Sequence, residues 1–264
     1  MSKIKNSLYR RKKTLQIELS LIGEGIMKEK IEKLKKWIDE SNNIVFFGGA
    51  GVSTLSNIPD FRSVNGLYSG SYAYPPETIL SHTFFENHAK EFYRFYFSKM
   101  LYLDAKPNIV HKKLAEWEKQ GKISAVITQN IDGLHQAAGS EKVFELHGSV
   151  YRNHCVNCGK FYGVDYIRNF ESVPKCVCGG VIKPDVVLYE EPLDDKILQG
   201  AVNAILKADM LIVAGTSLAV YPAAGLVNYY SLDKFVLINR DKTPFDGNAN
   251  LVISADLGDV FNAL

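Results

Sequence analysis

Cysteine is scarce in this sequence, and long apolar runs are missing from it. Only four cysteines occur among 264 residues, all between Cys155 and Cys178, which suits a metal cluster in a reducing compartment better than a disulfide framework. No apolar run approaches the roughly 20 residues of a membrane-spanning helix, and no secretory apolar segment follows the basic start of the chain. We therefore expect a cytoplasmic protein that has no membrane partner.

An excess of charge of either sign is also missing. The 31 basic and 29 acidic residues leave a formal charge of +2, and six of the basic residues lie within residues 1–26, where only Glu18 and Glu24 oppose them. The rest of the chain is slightly acidic and lacks the basic field that binds a phosphate backbone. This composition predicts no nucleic-acid partner, and we interpret residues 1–26 as a disordered tail.

Short apolar segments alternate with helical patterns in the remainder of the chain. Apolar residues at helical spacing predict a first helix from Met27 to Glu40. Continuously apolar segments predict six buried strands, at residues 44–47, 125–127, 143–146, 211–214, 235–238 and 251–253. Strands that are apolar on both faces are typical of a parallel sheet with helices on both faces, so the pattern predicts an α/β fold.

Two segments interrupt this alternation. Residues from about 66 to 110 are rich in aromatic side chains, most of which we interpret as packing residues. Residues from about 151 to 181 contain every cysteine and no long apolar run. Neither segment fits the repeating strands and helices of the α/β pattern.

Polar and glycine-rich clusters follow five of the predicted strands. They are Gly49–Ser53, Gln129–Asp132, His147-Gly148, Gly215–Ser217 and Asn239. The carboxyl ends of parallel strands share one edge of the sheet, which is where open α/β sheets bind their ligands. The sequence therefore predicts a binding site at this edge.

The first cluster is typical of a phosphate-binding turn. Gly49 and Gly51 allow a tight turn and a close approach of the backbone to a pyrophosphate that faces a helix N-terminus. The segment departs from the dehydrogenase pattern, because Thr54 replaces the third glycine and no acidic strand end follows about 20 residues later. We therefore expect a bound dinucleotide that does not serve hydride transfer.

The cysteines form two closely spaced pairs, each followed by glycine. Four thiolates suit a tetrahedral Zn²⁺ that is closed to solvent and therefore structural. The alternative is a redox pair. His154 adjoins this cluster, but with four cysteines present we do not expect it to be a ligand. The predicted metal ligands are Cys155, Cys158, Cys176 and Cys178.

Together these motifs resemble the sirtuin family, and most closely its bacterial branch. Their order along the chain is that of sirtuins, from about Lys30 to Val260. The motifs that carry the resemblance are Gly49–Ser53, Ile58–Arg62, Thr128–His135, Leu146–Gly148, the four cysteines, Lys183–Val187 and Gly215–Leu218.

The resemblance implies a domain organisation. A Rossmann-like NAD-binding domain comprises residues 27–65, 111–150 and 182–264. The small lobe combines a helical insertion at residues 66–110 with a zinc-binding module at residues 151–181. NAD and an acyl-lysine peptide enter the cleft between the two lobes from opposite sides.

The resemblance also implies an activity. Sirtuins are NAD-dependent protein-lysine deacetylases, which transfer the acetyl group to ADP-ribose and release nicotinamide and O-acetyl-ADP-ribose. Here His147 is the expected general base and Asn130 the second catalytic residue. The usual histidine pKa of about 6.5 suits proton removal near neutral pH. One structural zinc ion takes no part in the chemistry.

Binding roles carry over residue by residue. The residues that would contact NAD are Ala50, Gly51, Thr54, Phe61, Arg62, Gln129, Asn130, Ile131, Asp132, His147, Thr216, Ser217, Asn239, Asp256 and Leu257. The acetyl-lysine peptide would pair as an added strand with Val187, Leu188, Tyr189 and Glu190. Glu190 and Asn57 occupy positions where the family usually has glycine. A side chain at Glu190 could narrow the peptide groove or change its charge.

Two other functions stay open on the sequence alone. An ADP-ribosyltransferase would use the same NAD site, although the presence of both Asn130 and His147 favours deacetylation. A non-enzymatic zinc-ribbon binding module is disfavoured, because the cysteine segment is short and has no basic or aromatic face.

Overall fold

The computed structural model describes residues 23–61 and 66–264. Strands are β1 Ile44–Gly48, β2 Ile123–Thr128, β3 Val143–Glu145, β4 Gly148–Cys155, β5 Phe161–Gly163, β6 Ile182–Val186, β7 Met210–Ala214, β8 Phe235–Ile238 and β9 Leu251–Ile253. Helices are α1 (23–40), α2 Pro76–Ile79, α3 His82–Asn87, α4 Ala89–Lys99, α5 Ile109–Lys119, α6 Leu134–Ala138, α7 Val164–Ile167, α8 Asp195–Lys207 and α9 Leu257–Ala263. In the described residues, no helix is long and apolar enough to span a bilayer.

Helix α1 is already present at residue 23, so the expected start at Met27 is wrong by at least one turn. Residues 23–26 therefore belong to this helix and not to a tail, and residues 1–22 lie outside the described residues. No helical signal marks this turn in the sequence, because Gly23 and Gly25 are poor helix formers. A Cβ added to either glycine would meet no atom within 4 Å, so the turn has no buried face.

Six parallel strands form the central sheet, in the order β3-β2-β1-β7-β8-β9. All six correspond to predicted strands, and this order reverses direction between β1 and β7. Such a reversal places a crevice at the carboxyl edge of the sheet. The register brings the strand ends level, since Gly48 pairs with both Thr128 and Ala214, and Ala214 pairs with Ile238.

Alternate residues of each central strand enter two different cores. Ile44 and Phe46 of β1 face the cluster covered by α1, α5 and α9, whereas Val45 and Phe47 face the cluster covered by α8. All four side chains are fully buried. Burial on both faces explains why the strands are continuously apolar.

The small lobe contains an antiparallel sheet in the order β5-β4-β6. Cys155 of β4 pairs with Ile182 of β6, so residues 148–150 and 182–186 belong to this sheet, and the predicted module boundaries at 151 and 181 are too narrow. Strand β6 was not predicted from the sequence, because Lys183 and Pro184 interrupt its apolar pattern. Pro184 is tolerated because β6 is an edge strand.

Helices α2 to α4 and the zinc-binding module share one core. Phe92 and Tyr93 of α4 lie in the same buried cluster as Tyr162 and Cys176. This contact confirms that the helical insertion and the cysteine segment form a single lobe. The insertion ends at residue 108, because α5 begins at Ile109 and packs on the large domain.

Candidate active site

A cavity of about 460 Å³ lies between the carboxyl edge of the central sheet and the small lobe. Arg62 lies outside the described residues. All other residues predicted to contact NAD or peptide line this cavity: Ala50, Gly51, Thr54, Phe61, Gln129, Asn130, Ile131, Asp132, His147, Val187, Leu188, Tyr189, Glu190, Thr216, Ser217, Asn239, Asp256 and Leu257.

Gly49 and Gly51, which follow β1, leave no room for a Cβ because the loop after β7 packs against them. A Cβ on Gly49 would lie 2.6 Å from Thr216 Cβ, and a Cβ on Gly51 would lie 2.8 Å from the Gly215 Cα. The backbone N–H of Gly51 donates to Gly215 O at 2.8 Å. The two loops therefore meet backbone to backbone, a contact that larger residues would prevent.

The segment after β1 does not begin an α-helix, so the expected helix N-terminus is wrong. It forms two 3-10 turns, Ala50–Val52 and Thr54–Ser56. Asn57 ends the second turn in the left-handed conformation, with φ of 62°. Asn108, the N-cap of α5, donates to Val52 O at 2.8 Å and Ser56 Oγ at 2.9 Å, which holds the turns in place.

Three polar side chains form a network behind the first turn. The Asn130 amide donates to Gly49 O at 3.1 Å and to Ser53 Oγ at 2.9 Å. The Ser53 hydroxyl donates to Asp132 Oδ2 at 2.6 Å. Burial raises the pKa of Asp132, and the Ser53 hydrogen bond opposes that rise. The network fixes the orientation of Asn130 and leaves its carbonyl oxygen as the remaining acceptor.

A second set of hydrogen bonds surrounds the loop after β7, which packs against Gly49. Gln129 Nε2 donates to Thr216 Oγ1 at 3.0 Å. Asn239 Oδ1 accepts from the Thr216 backbone N–H at 3.0 Å, and Asn239 Nδ2 donates to Thr216 O at 2.7 Å. Asp256 accepts from Gly258 N at 2.8 Å as the N-cap of α9. These groups are therefore preorganised around the loop after β7.

His147 lies between β3 and β4, where the two lobes join. Its Nδ1 lies 3.0 Å from Gln129 O. Because a carbonyl oxygen only accepts hydrogen bonds, Nδ1 carries the ring proton and Nε2 is left as the basic atom. Burial lowers the pKa of His147, although the hydrogen bond to Gln129 partly opposes this. The side chain is thus a neutral base at neutral pH.

The segment after β6 forms the small-lobe wall of the cavity. Val187 N donates to His147 O at 3.0 Å, and Tyr189 N donates to Leu80 O at 2.9 Å. Glu190 follows with φ of 75°, a left-handed conformation that favours glycine. The two positions where this chain departs from the family glycine, Asn57 and Glu190, therefore both keep a glycine-like backbone.

The four cysteines form a cluster away from the cavity. Their sulfur atoms all lie within 4.8 Å of one another, with Cys155–Cys178 at 3.5 Å and Cys158–Cys176 at 3.6 Å. A tetrahedral Zn²⁺ with Zn–S bonds of about 2.3 Å needs sulfur separations of about 3.8 Å. A disulfide needs about 2.05 Å, so the geometry fits zinc and excludes a disulfide in this state.

Neighbouring side chains support the cysteine cluster. The Tyr162 hydroxyl donates to Cys176 Sγ at 3.0 Å, and hydrogen bonds from the Cys178 backbone and from Tyr162 lower the pKa of Cys176. His154 Nδ1 lies 2.8 Å from Asp185 Oδ1, and among the described residues the group that could hold a metal consists of the four cysteines without His154.

Several cavity residues were not predicted from the sequence. Ser53 lies inside the first glycine-rich cluster, so its position in the sequence could have identified it as a cavity residue. Tyr68 lies in the short 3-10 turn Leu67–Ser69, and Tyr102 and Arg240 lie in loops, so no periodic pattern indicates which of these side chains turn inward. The Tyr68 hydroxyl lies 2.8 Å from that of Tyr189, a contact between segments far apart in the chain.

Similarity to known proteins agrees with this geometry. The model of the Sir2 family matches residues 49–222 of the chain. The chain belongs to the Sir2 family. The match includes the first glycine-rich cluster, His147 and all four cysteines, which confirms the resemblance to sirtuins.

Bacterial Sir2 proteins are similar over almost their whole length. The NAD-dependent protein deacetylase of Clostridium acetobutylicum is 57% identical over 243 residues, which cover 90% of this chain and 99% of the relative. That of Clostridium perfringens is 58% identical over 238 residues, covering 89% and 98%. That of Staphylococcus epidermidis is 46% identical over 239 residues, covering 90% and 97%.

Solved Sir2 structures share the fold. A Sir2 complex with a deacetylated p53 peptide and 3′-O-acetyl ADP ribose has a TM-score of 0.82 and 41% identity, and the match covers 88% of this chain and 96% of that one. A Sir2 complex with a p53 peptide and NAD⁺ has a TM-score of 0.78 and 42% identity, covering 88% and 95%. The Rossmann-like sheet with a small lobe is therefore confirmed.

Proposed function

We propose that this Sir2 protein is an NAD-dependent protein-lysine deacetylase. It removes the acetyl group from lysine in protein substrates and releases nicotinamide and O-acetyl-ADP-ribose. The observation that carries the proposal is the position of His147. This neutral imidazole, with Nδ1 bound to Gln129 O, lines the same cavity as the glycine-rich turn and the segment after β6.

NAD would extend along the carboxyl edge of the central sheet. Ala50, Gly51 and Thr54, which line the cavity, would hold the pyrophosphate. Phe61, which packs edge to face against Tyr68 with ring centroids 5.6 Å apart, would cover the nicotinamide ribose. The adenosine end would be held by Gln129, Thr216, Ser217, Asn239, Asp256 and Leu257. A role for Arg62 in holding the phosphates remains a prediction.

The nicotinamide end would be held by the network behind the first turn. The Asn130 carbonyl oxygen, the Ile131 backbone and the Asp132 carboxylate would bind the carboxamide. Ser53 fixes Asn130 and Asp132 relative to each other. Such fixed donors and acceptors favour one orientation of the bound group, which is the basis of positioning in catalysis.

The carbonyl oxygen of acetyl-lysine would displace nicotinamide from the NAD ribose, the ribose would then accept the acetyl group, and water would complete the release of free lysine. His147 Nε2 accepts a proton from a ribose hydroxyl, which makes the oxygen nucleophilic towards the acetyl carbon. General-base catalysis of this kind contributes roughly 10²–10⁴-fold to the rate. Hydrogen bonding of Nδ1 to Gln129 O keeps the ring in the tautomer that can act as a base.

Zinc would have a structural role. The sulfur separations fit a tetrahedral ion held by four thiolates, a closed set without a position for substrate. Cys155, Cys158, Cys176 and Cys178 are absent from the lining of the cavity. The cytoplasmic location and the lack of a nucleic-acid or membrane partner stay predictions.

Mass spectrometry of an acetyl-lysine peptide tests the proposal directly. With NAD, the peptide should lose one acetyl group and O-acetyl-ADP-ribose should appear in equal amount. Without NAD, the peptide should be unchanged. An intact acetyl-peptide together with a protein that gains ADP-ribose would instead support the transferase alternative and contradict this proposal.

A further inference from the structure

Glu190 is held in an unusual conformation at the small-lobe wall of the cavity. Its φ of 75° is strained for a residue with a Cβ. Its carboxylate Oε2 accepts a hydrogen bond from the Thr83 backbone N–H at 2.9 Å, at the start of α3. The position of the charge is therefore fixed by both the backbone and the side chain.

The carboxylate of Glu190 stays ionised near neutral pH. The hydrogen bond from Thr83 lowers its pKa. The side chain is exposed and at the same time lines the cavity. Any peptide that crosses this wall therefore meets a fixed negative charge.

The neighbouring carboxylate, Glu191, differs because it is already neutralised. It accepts hydrogen bonds from Lys183 Nζ at 3.0 Å and from Leu188 N at 2.8 Å, and it pairs with His82 Nδ1 at 2.8 Å. These contacts lower the pKa of Glu191 against the opposing effect of burial. All its strong partners are internal, so Glu191 has little capacity left for a ligand.

Within the part of the chain that the structure describes, Glu190 has no such cationic partner. Across residues 23–61 and 66–264, no lysine or arginine forms an ion pair with it. His82 contributes to lowering the pKa of Glu190, but this histidine is already within ion-pair distance of Glu86 and Glu191. The wall therefore presents one uncompensated negative charge to the cavity.

We propose that Glu190 makes this site select acetyl-lysine peptides that carry a lysine or arginine close to the acetyl-lysine. The inference rests on the proposed function and concerns its substrate class. A cationic side chain supplies the partner that Glu190 lacks, whereas an acidic side chain is repelled. Glu190 is thus a specificity-determining residue that does not take part in the chemistry.

A peptide panel tests this inference. The peptides share one acetyl-lysine and differ at a single position, within three residues on either side, which is Lys, Gln or Glu. We expect the kcat/KM of the wild-type protein to favour Lys over Glu by about fivefold at one position, the scale of one exposed ion pair. This preference should shrink in 0.5 M salt, because salt screens exposed charges.

Two variants and a control isolate the charge. Glu190→Gln keeps the shape and an acceptor for Thr83 N, and Glu190→Gly suits the left-handed backbone. Both should bring the Lys-to-Glu ratio close to one. Glu86→Gln removes a carboxylate from α3 that does not line the cavity, and it should keep the wild-type ratio.

The outcomes separate the two proposals. Absence of NAD-dependent deacetylation of every peptide would overturn the proposed function and this inference with it. Deacetylation without discrimination between Lys and Glu would overturn this inference alone. Retention of the wild-type ratio in a folded Glu190→Gln protein would also overturn it, because the selectivity would then have another source.

Discussion

The two lobes bury their cores by different means. The large domain encloses a parallel sheet between two clusters that are mostly aliphatic. The small lobe has only a three-stranded sheet, and its cluster is rich in phenylalanine and tyrosine and includes Cys155 and Cys176. Aliphatic packing therefore fills both faces of the central sheet, whereas aromatic rings and two of the cysteines fill much of the small-lobe core.

The two lobes also contribute different residues to the cavity. The sheet brings its strand ends level, so the polar residues that follow β1, β2 and β7 have fixed relative positions. The small lobe, whose core includes Leu188, contributes the neighbouring Tyr189 and Glu190 to the cavity wall. We infer that the large domain determines the chemistry and the small lobe determines the fit of the peptide.

We expect the largest effect from His147→Ala, which tests whether the large domain determines the chemistry. We expect a loss of deacetylase activity of about 10²–10⁴-fold, the contribution of a general base, with an unchanged melting temperature. Steady-state kinetics and thermal unfolding measure the two effects. His154→Ala is a matched control, because this histidine pairs with Asp185 and does not line the cavity. Residual activity close to wild type would remove His147 from the mechanism.

Cys176→Ser should damage the small lobe selectively. Loss of one thiolate weakens zinc binding, and metal-binding free energy is folding free energy in such modules. Hydrogen exchange should therefore rise in residues 148–186 while the central sheet stays protected. Val177→Ser, at an exposed neighbouring position, is the control and should retain the metal. Full zinc occupancy and unchanged protection in Cys176→Ser would contradict the assignment.

Gly148→Ala should destabilise the junction of the two lobes. Gly148 has φ of 75°, and a Cβ there would clash with the backbone oxygen of Asp185. The clash and the left-handed backbone together should cost about 3 kcal/mol or more. Chemical denaturation measures this loss. Gly163→Ala in the same sheet has open space around its Cβ position, and an equal loss in both variants would refute the explanation.

A buried histidine pair should make the large domain sensitive to acid. His111 and His135 lie with ring centroids 4.7 Å apart. Burial lowers the pKa of His111 to about 4 and lowers that of His135 well below its usual value, with His111 adding to the effect. Both rings stay neutral in the folded protein at pH values where the unfolded chain, with a histidine pKa of about 6.5, binds protons.

Proton uptake by the unfolded chain lowers the free energy of unfolding as the pH falls. Above pH 6.5 neither state is protonated at these rings, and their contribution to stability is complete. As the pH falls through 6.5 the unfolded state gains protons, so the free energy of unfolding should be about 3 kcal/mol lower at pH 5.5 than at pH 7.5. Denaturant titrations at pH 7.5, 6.5 and 5.5 measure the drop. His135→Leu should reduce it by about half, and an undiminished pH dependence would contradict this origin.

Much of the large domain was predictable because its signals are local. Most central strands contain a continuous apolar segment, although β3 ends at Glu145, and the clusters around Gly51, Asn130 and His147 follow strand ends. Parallel strands necessarily bring such clusters to one edge. The cysteine spacing likewise indicated zinc, because ligand type and spacing almost determine a tetrahedral thiolate site.

Tertiary structure decided what depends on contacts between distant segments. The small sheet extends past the cysteine segment because β6 pairs with β4, and the turns after β1 stay 3-10 because Asn108 holds them. The sequence showed only that Glu190 replaces a glycine. Its left-handed backbone and its hydrogen bond to Thr83 arise where α3 packs against the segment after β6. No local sequence pattern predicts a contact between segments so far apart in the chain.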